Sequence, residues 1–300
     1  MHCREHRKFS AILFAATAAA SAAVAGYYYH YYYTHDETPL RIALPHQSPV
    51  KFVLVTALYD LHRTDRSFEG SYLPWFRRTI RKMSGAASQT VVFCKDRLVA
   101  DEAKRAGRVI AVLEENYPLW HMRNAVKPIL RERAAGSNAW HPEWMNPDYI
   151  LLQFSKFRWL QYAMELLPED ETFFWVDAGL SRFLLLGQRS MKFPLLLRPG
   201  LISVQTQLRK VPLNATQLGG CMGCRRNVFK GGLFGGQSQV LSWLCGRMIA
   251  ILREDFVAKG VMDNEQAALA LLYSRSPERF NLLFEENFVG REAACDFICI

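Results

Sequence analysis

Short apolar runs alternate with longer amphipathic stretches along most of this chain, and the two patterns have different periods. "KFVLVT", "TVVFC", "RVIAVLE" and "TFFWVD" are compact and rich in β-branched and aromatic residues, which predicts buried strands at 52–56, 90–94, 108–114 and 172–177. Between them, "SYLPWFRRTIRKM" and "DRLVADEAKRAG" carry helical spacing, the second closed by a glycine. "PDYILLQFSKFRWLQYAMELLPED" predicts a strong helix stopped at Pro168. Further on, "GLISVQT" reads as extended, "NVFKGGLFGGQ" as a glycine-broken strand and turn, and "RFNLLFEENF" as a final strand. "SQVLSWLCGRMIAILREDFVAKG" predicts a long helix ending at Gly260, and "DNEQAALALLYSR" another. Residues 114–149, rich in Trp, Pro, Asn and His, read as a long loop with short helices over a site. Strands alternating with helices predict an α/β fold with a mostly parallel sheet flanked by helices, in a single domain over 51–300.

The N-terminus follows a different rule. "MHCREHRKF" is basic, "SAILFAATAAASAAVAG" is uncharged, and "YYYHYYY" follows as an aromatic belt. This predicts a tail at 1–8, a signal anchor or cleaved signal peptide at 9–33, and a proline-bearing stem at 34–50. Cleavage would fall after Ala23-Val24-Ala25; retention gives a single-pass type II membrane protein with its C-terminal domain in the ER or Golgi lumen. Glu5 is the one acid in the first 35 residues, so an organellar transit peptide is a third reading. In a lumen, Asn214-Ala215-Thr216 is a glycosylation sequon.

The net charge of +9 comes from scattered Lys and Arg, with no polybasic run and no nucleic-acid motif; an anionic substrate or membrane face fits it, and no nucleic-acid partner is expected. Seven cysteines are sparse for a disulfide scaffold. Cys221 and Cys224 have the spacing of half a zinc site, but further ligands at similar spacing are not evident, and a local disulfide or two buried thiols is the reading.

Asp177 ends an apolar strand, so it either caps a turn or is delivered to a site at the carboxyl edge of a sheet. Gln153 and Lys156 lie at the amino end of the apolar face of their helix. A lysine there needs an anionic partner, Asp177 or a ligand phosphate, or a route to water; methionine is expected to fit the same face. "GGLFGG" includes Gly235 and Gly236, whose backbone could approach a ligand or simply turn the chain. Asp263 can cap its helix with Gln266 three residues on, while Glu265 shares the apolar stripe of Leu269 and Leu272 and is a candidate base. No P-loop, strand-placed GxGxxG, HExxH or GxSxG is present.

In this order, "VTALYDLHR", "NPDYILLQFSKFRWLQYA", "FFWVDAGLSRF", "GGLFGG" and "DNEQ" resemble the HtrL/YibB-type proteins associated with bacterial surface polysaccharide, which are similar to glycosyltransferases. The resemblance covers about residues 50–290, with the WVDAG strand and the lysine helix as its most specific parts. It implies a GT-A-like fold and transfer of a sugar from a nucleotide-sugar donor to a hydroxyl of a glycan or glycolipid. It further implies Asp177 beside the diphosphate on a divalent cation (Mn²⁺ or Mg²⁺) or the ribose, and Lys156, Gln153, Gly235 and Gly236 around the donor. Thr56 and Tyr59 would meet the base or ribose, and Asp263 or Glu265 would act as base. "VDAG" offers one aspartate where the DxD of such enzymes has two. Two other readings accompany it: a catalytically inactive lumenal glycan-binding scaffold on the same fold, and a secreted glycoside hydrolase using Asp177 and Asp263.

The basic flank predicts a cytoplasmic N-terminus. A C-terminally tagged chain is expected to resist carbonate extraction and to be protected inside microsomes; release of a soluble chain beginning at Gly26 would show a cleaved signal instead.

Overall fold

The structure, a computed structural model, describes residues 51–62, 67–84, 87–135, 146–170, 172–180, 197–206 and 228–284. These belong to one compact unit that begins at Pro49. The segments read as tail, anchor or signal peptide, and stem, the Cys221 and Cys224 pair and the Asn214 sequon lie outside the described residues. Among the described residues no helix is long and apolar enough to cross a membrane.

Seven strands form one sheet: β1 (Val53–Leu58), β2 (Gln89–Cys94), β3 (Val109–Leu113), β4 (Thr172–Val176), β5 (Ile202–Thr206), β6 (Phe229–Gln237) and β7 (Phe280–Phe284). Their order is β3-β2-β1-β4-β6-β5-β7, and β6 alone runs against the others. The α/β reading of the sequence thus holds as a mostly parallel, mixed sheet flanked by helices. β1 pairs with β2 on one side and β4 on the other, with Val53 and Val55 opposite Phe173 and Trp175. The chain reverses direction across the sheet here, where open α/β sheets leave a crevice at the carboxyl ends of the strands.

Helices cover both faces, which is why the central strands are continuous apolar runs. On one face α1 (Leu73–Met83) and α2 (Arg97–Lys104) close a small core of Phe76, Ile80, Val99 and Ala103 against Leu58 and Val92. On the other lie α3 (Arg123–Ala135), α4 (Pro147–Leu166), α5 (Ser238–Ala250) and α6 (Glu265–Arg275), over a larger core that includes Phe154, Phe157, Leu160, Phe234 and Leu269. Asn146 caps α4 by accepting from the Asp148 N–H, with Pro147 in its first turn, so that α4 starts at the carboxyl edge and runs back along the sheet.

Two elements differ from the sequence reading. Residues 123–135, read as part of an irregular loop, form the continuous helix α3 with Pro128 inside it. Val126 and Leu130, one turn apart and both buried, supply the packing that overrides the proline. "FKGGLFGGQ", read as broken, is one nine-residue strand. The long helix after it changes winding instead: α5 passes into a π-helical segment, Ile251–Val257, which places Ile251, Leu252 and Phe256 in the core. Gly260, in the left-handed region at φ 66°, ends it.

Asp255 in that segment accepts from Lys259 and from Arg275 at the end of α6, each at 2.6 Å. Arg275 and then Lys259 pull its carboxyl down to about 2 from an ordinary 3.8. A depressed carboxyl stabilises the fold above its unfolded pKa and loses that contribution as pH falls through the folded one. Asp255→Asn is therefore expected to lower the melting temperature at neutral pH. The gap to wild type should close progressively between about pH 4 and pH 2, checked by thermal melts across that window.

Candidate functional site

Lys156 is nearly inaccessible, at 3% exposure, on the face of α4 that packs against the sheet. Its Nζ lies 2.9 Å from Glu265 Oε1, 3.1 Å from the Gly231 carbonyl oxygen and 3.3 Å from Asp177 Oδ1. Each of the ammonium's N–H donors thus has an acceptor within the protein. Burial works against the charge, but Asp177 and Glu265 more than offset it, and the lysine pKa is raised. The anionic partner demanded by a lysine on an apolar helix face is a pair of carboxylates. A ligand phosphate could reach this ammonium only if one of those bonds were given up.

The two carboxylates differ in setting. Glu265, the first residue of α6, is 2% exposed. Asp177, one residue past β4, has a side chain 44% exposed. Trp175 lies two residues back on β4 and therefore on the same side; its indole N–H donates to Asp177 Oδ1 at 2.7 Å. The Trp175 ring sits 5.7 Å from Lys156 Nζ and stacks on Trp159 at 6.0 Å and 4°. With Oδ1 held by Lys156 and Trp175, Asp177 turns its other oxygen toward Gly232 and the exposed side of the strand end.

β6 is shaped to admit this cluster. The Asp177 N–H donates to the Gly232 carbonyl at 2.8 Å, extending the β4–β6 pairing to the end of β4. On its other side β6 bulges away from β5: two steps along β5, from Val204 to Thr206, match five along β6, from Phe234 to Phe229. The bulge holds Gly231 and Gly232. A Cβ on Gly231 would fall 2.1 Å from Glu265 Oε1 and 3.2 Å from Lys156 Nζ, so a side chain there is incompatible with the ion pair.

The other residues marked in the sequence sit as follows. Gly235 and Gly236 pair with Phe174 and Phe173 further back along β4. Their close approach is to protein: a Cβ on Gly235 would lie 2.2 Å from Phe174 Cδ1, and one on Gly236 3.0 Å from the Leu201 carbonyl. The structure thus puts the glycines nearest the charged cluster at 231 and 232, the first pair of "GGLFGG" rather than the second pair assigned to the donor. Gln153 is half-buried one turn before Lys156 on α4. Thr56 is buried within β1 at 2% exposure, and its hydroxyl oxygen has no hydrogen-bond partner among the described residues. Tyr59 follows β1 with its ring stacked on Trp159 and its hydroxyl donating to Glu114 at 3.0 Å; burial and then Glu114 push that hydroxyl's pKa up. Asp263 does not cap α6. Asn264 does, accepting from the Ala267 N–H at 3.0 Å, and Asp263 accepts from the Asn264 N–H at 2.8 Å.

Glu114 is a further residue at this edge that the sequence reading did not single out. It follows β3 as Asp177 follows β4, and its Oε2 accepts from both Tyr59 and the Trp159 indole N–H, the latter at 2.8 Å. "VLEEN" carried the same signal as "WVDAG", an apolar strand ending on an acid.

For a divalent cation, the described residues contain no group of three His, Cys, Asp or Glu able to hold one. They offer the outward oxygen of Asp177. A hard cation held by one carboxylate and completed by phosphate oxygens and water fits that donor set. Lys156, Glu265 and Asp177 together carry one positive and two negative charges, a net −1 that favours a cation and disfavours a bare diphosphate.

A scan against protein-family models finds none that matches this chain, and a search of curated proteins finds no similar one.

The geometry reverses the expectation that methionine replaces Lys156 cheaply, because Glu265 would then be buried without its cation. Breaking a buried pair on one side destabilises by about 3–5 kcal/mol, whereas removing both charges is far milder. Lys156→Met is expected to lower the unfolding free energy on that scale in denaturant titrations. Lys156→Met with Glu265→Leu should recover much of the loss; no recovery would show that Glu265 owes little to Lys156.

Proposed function

We propose that this chain is a glycosyltransferase of the HtrL/YibB type, with a GT-A-like domain that moves a sugar from a nucleotide-sugar donor to a hydroxyl of a glycan or glycolipid. The observation that carries the reading is the fixed carboxylate of Asp177 at the carboxyl end of β4, beside the β1–β4 seam where the strand order reverses. The resemblance of the WVDAG strand and the lysine helix to that family supports it, as does the arrangement of the sheet. The N-terminal basic flank, apolar run and tyrosine belt support a membrane anchor that holds this domain in a secretory lumen.

In this reading Asp177 presents its outward oxygen to the donor diphosphate. A divalent cation held there, Mn²⁺ or Mg²⁺, would neutralise charge on the departing nucleotide. Lys156 acts from beneath by aiming Asp177, and Trp175 fixes the carboxylate's rotation. Glu265 is committed to Lys156 and inaccessible, so the acceptor's proton passes to Asp263. That carboxylate lies one residue before the cap of α6, at the same edge of the sheet.

Asp177→Asn keeps the size and the Trp175 bond while removing the charge, at a stability cost of order 1 kcal/mol. The full chain is expected to melt near the wild-type temperature but to lose the stabilisation that a nucleotide sugar with manganese confers on wild type. Asp263→Asn should keep that stabilisation and lose about 10²-fold in turnover. A full ligand-induced shift in Asp177→Asn would place the donor elsewhere and remove the main support for this reading.

A further inference from the structure

A cleft of about 390 Å³ opens beside Asp263. Its walls come from separate elements: Ile129 and Glu132 of α3, Phe256 of the π-helical segment, and Val261, Met262 and Asp263 of the loop that leads to α6. The topology places it on the working side of the sheet. α4 and α6 each precede a strand that starts at the amino edge, so both begin at the carboxyl edge, where Asp177 lies. The loop before α6 therefore reaches that edge on the helix face that holds Lys156. Only Asn264 separates Asp263 from Glu265, whose carboxylate is joined through Lys156 to Asp177.

The lining limits what can enter. Carboxylates accept hydrogen bonds and, when ionised, donate none, so Glu132 and Asp263 call for an occupant that presents donors. Among the described residues the lining holds neither Lys nor Arg, which disfavours a phosphate or a carboxylate. The remaining walls, Ile129, Phe256, Val261 and Met262, are apolar and suit C–H surface. The volume lies near the lower end of the range for small-molecule sites. A neutral, hydroxyl-rich ring with an apolar face combines these requirements.

We infer that this cleft is a carbohydrate subsite, with Glu132 and Asp263 accepting from sugar hydroxyls. Only in calling that sugar the acceptor does the inference rest on the transferase reading. There, the hydroxyl held by Asp263 is the one that loses its proton as it attacks the donor's anomeric carbon. The nucleoside diphosphate leaves with the bonding electrons of the broken C–O bond, and the proton goes to the Asp263 carboxylate.

The test is a binding screen of the full chain against methyl α- and β-glycosides of glucose, galactose, mannose and N-acetylglucosamine at millimolar concentration, read by ligand-observed NMR. Butylammonium serves as a cationic control. At least one glycoside is expected to bind. Val261→Trp, at a position 50% exposed and so open to a larger side chain, should fill the cleft and abolish that binding. Glu132→Gln should weaken it by about tenfold, the loss of a hydrogen bond to a charged group. Failure of every glycoside to bind, binding that both variants leave unchanged, or cleft-dependent binding of butylammonium alone would each overturn the assignment. Nucleotide-sugar binding, measured on the same samples, separates the two readings. Glycoside binding without it leaves the subsite standing and removes the transferase; nucleotide-sugar binding without any glycoside does the reverse.

Discussion

The buried ammonium of Lys156 is the constraint around which the carboxyl edge of this sheet is built. An ion so far from water needs partners on every donor, and those partners come from separate parts of the chain: the end of β4, the bulge of β6 and the first residue of α6. Placing the lysine therefore places all of them. The demand runs outward from there. Gly231 has no side chain because Glu265 and Lys156 occupy that volume. β6 bulges away from β5 where its carbonyl meets the ammonium. α6 begins where it does because Asn264 caps it one residue before the glutamate.

This organisation divides the work between two acids. Glu265 is shielded and supplies the closer contact, while Asp177 is half-exposed and held at longer range. A charge pair in the interior is stronger and costlier to break than one at the surface. The structural burden thus falls on Glu265, leaving Asp177 oriented by Lys156 and Trp175 yet open to a ligand. Glu114 at the end of β3, held by Tyr59 and Trp159, repeats the device of an edge carboxylate fixed by aromatic donors.

Much of the fold was legible because the signals were local. Apolar runs such as "KFVLVT" and "TFFWVD" match β1 and β4 to within two residues, and Asn146-Pro147 marks the start of α4. The failures share a cause. α3 contains a proline and little periodic contrast, and its existence depends on Val126 and Leu130 meeting a distant core. β6 is glycine-rich because neighbouring rings and charges leave no room for side chains, a fact that no local pattern contains. In the site, the helical wheel required a partner for Lys156, but Glu265 is 109 positions away and could be joined to it only by the folded sheet. Trp175, like Glu114, was readable among the missed residues, since a period of two already puts it beside Asp177.

Trp175 also gives the site an optical signature. Its indole donates to Asp177, lies over the Lys156 ammonium and stacks nearly parallel on Trp159. Two indoles held that close are expected to couple electronically, so the circular dichroism of this protein should carry a contribution from the floor of the site itself. Any event that moves the Asp177 carboxylate or its lysine is therefore transmitted to a chromophore one hydrogen bond away, without a label.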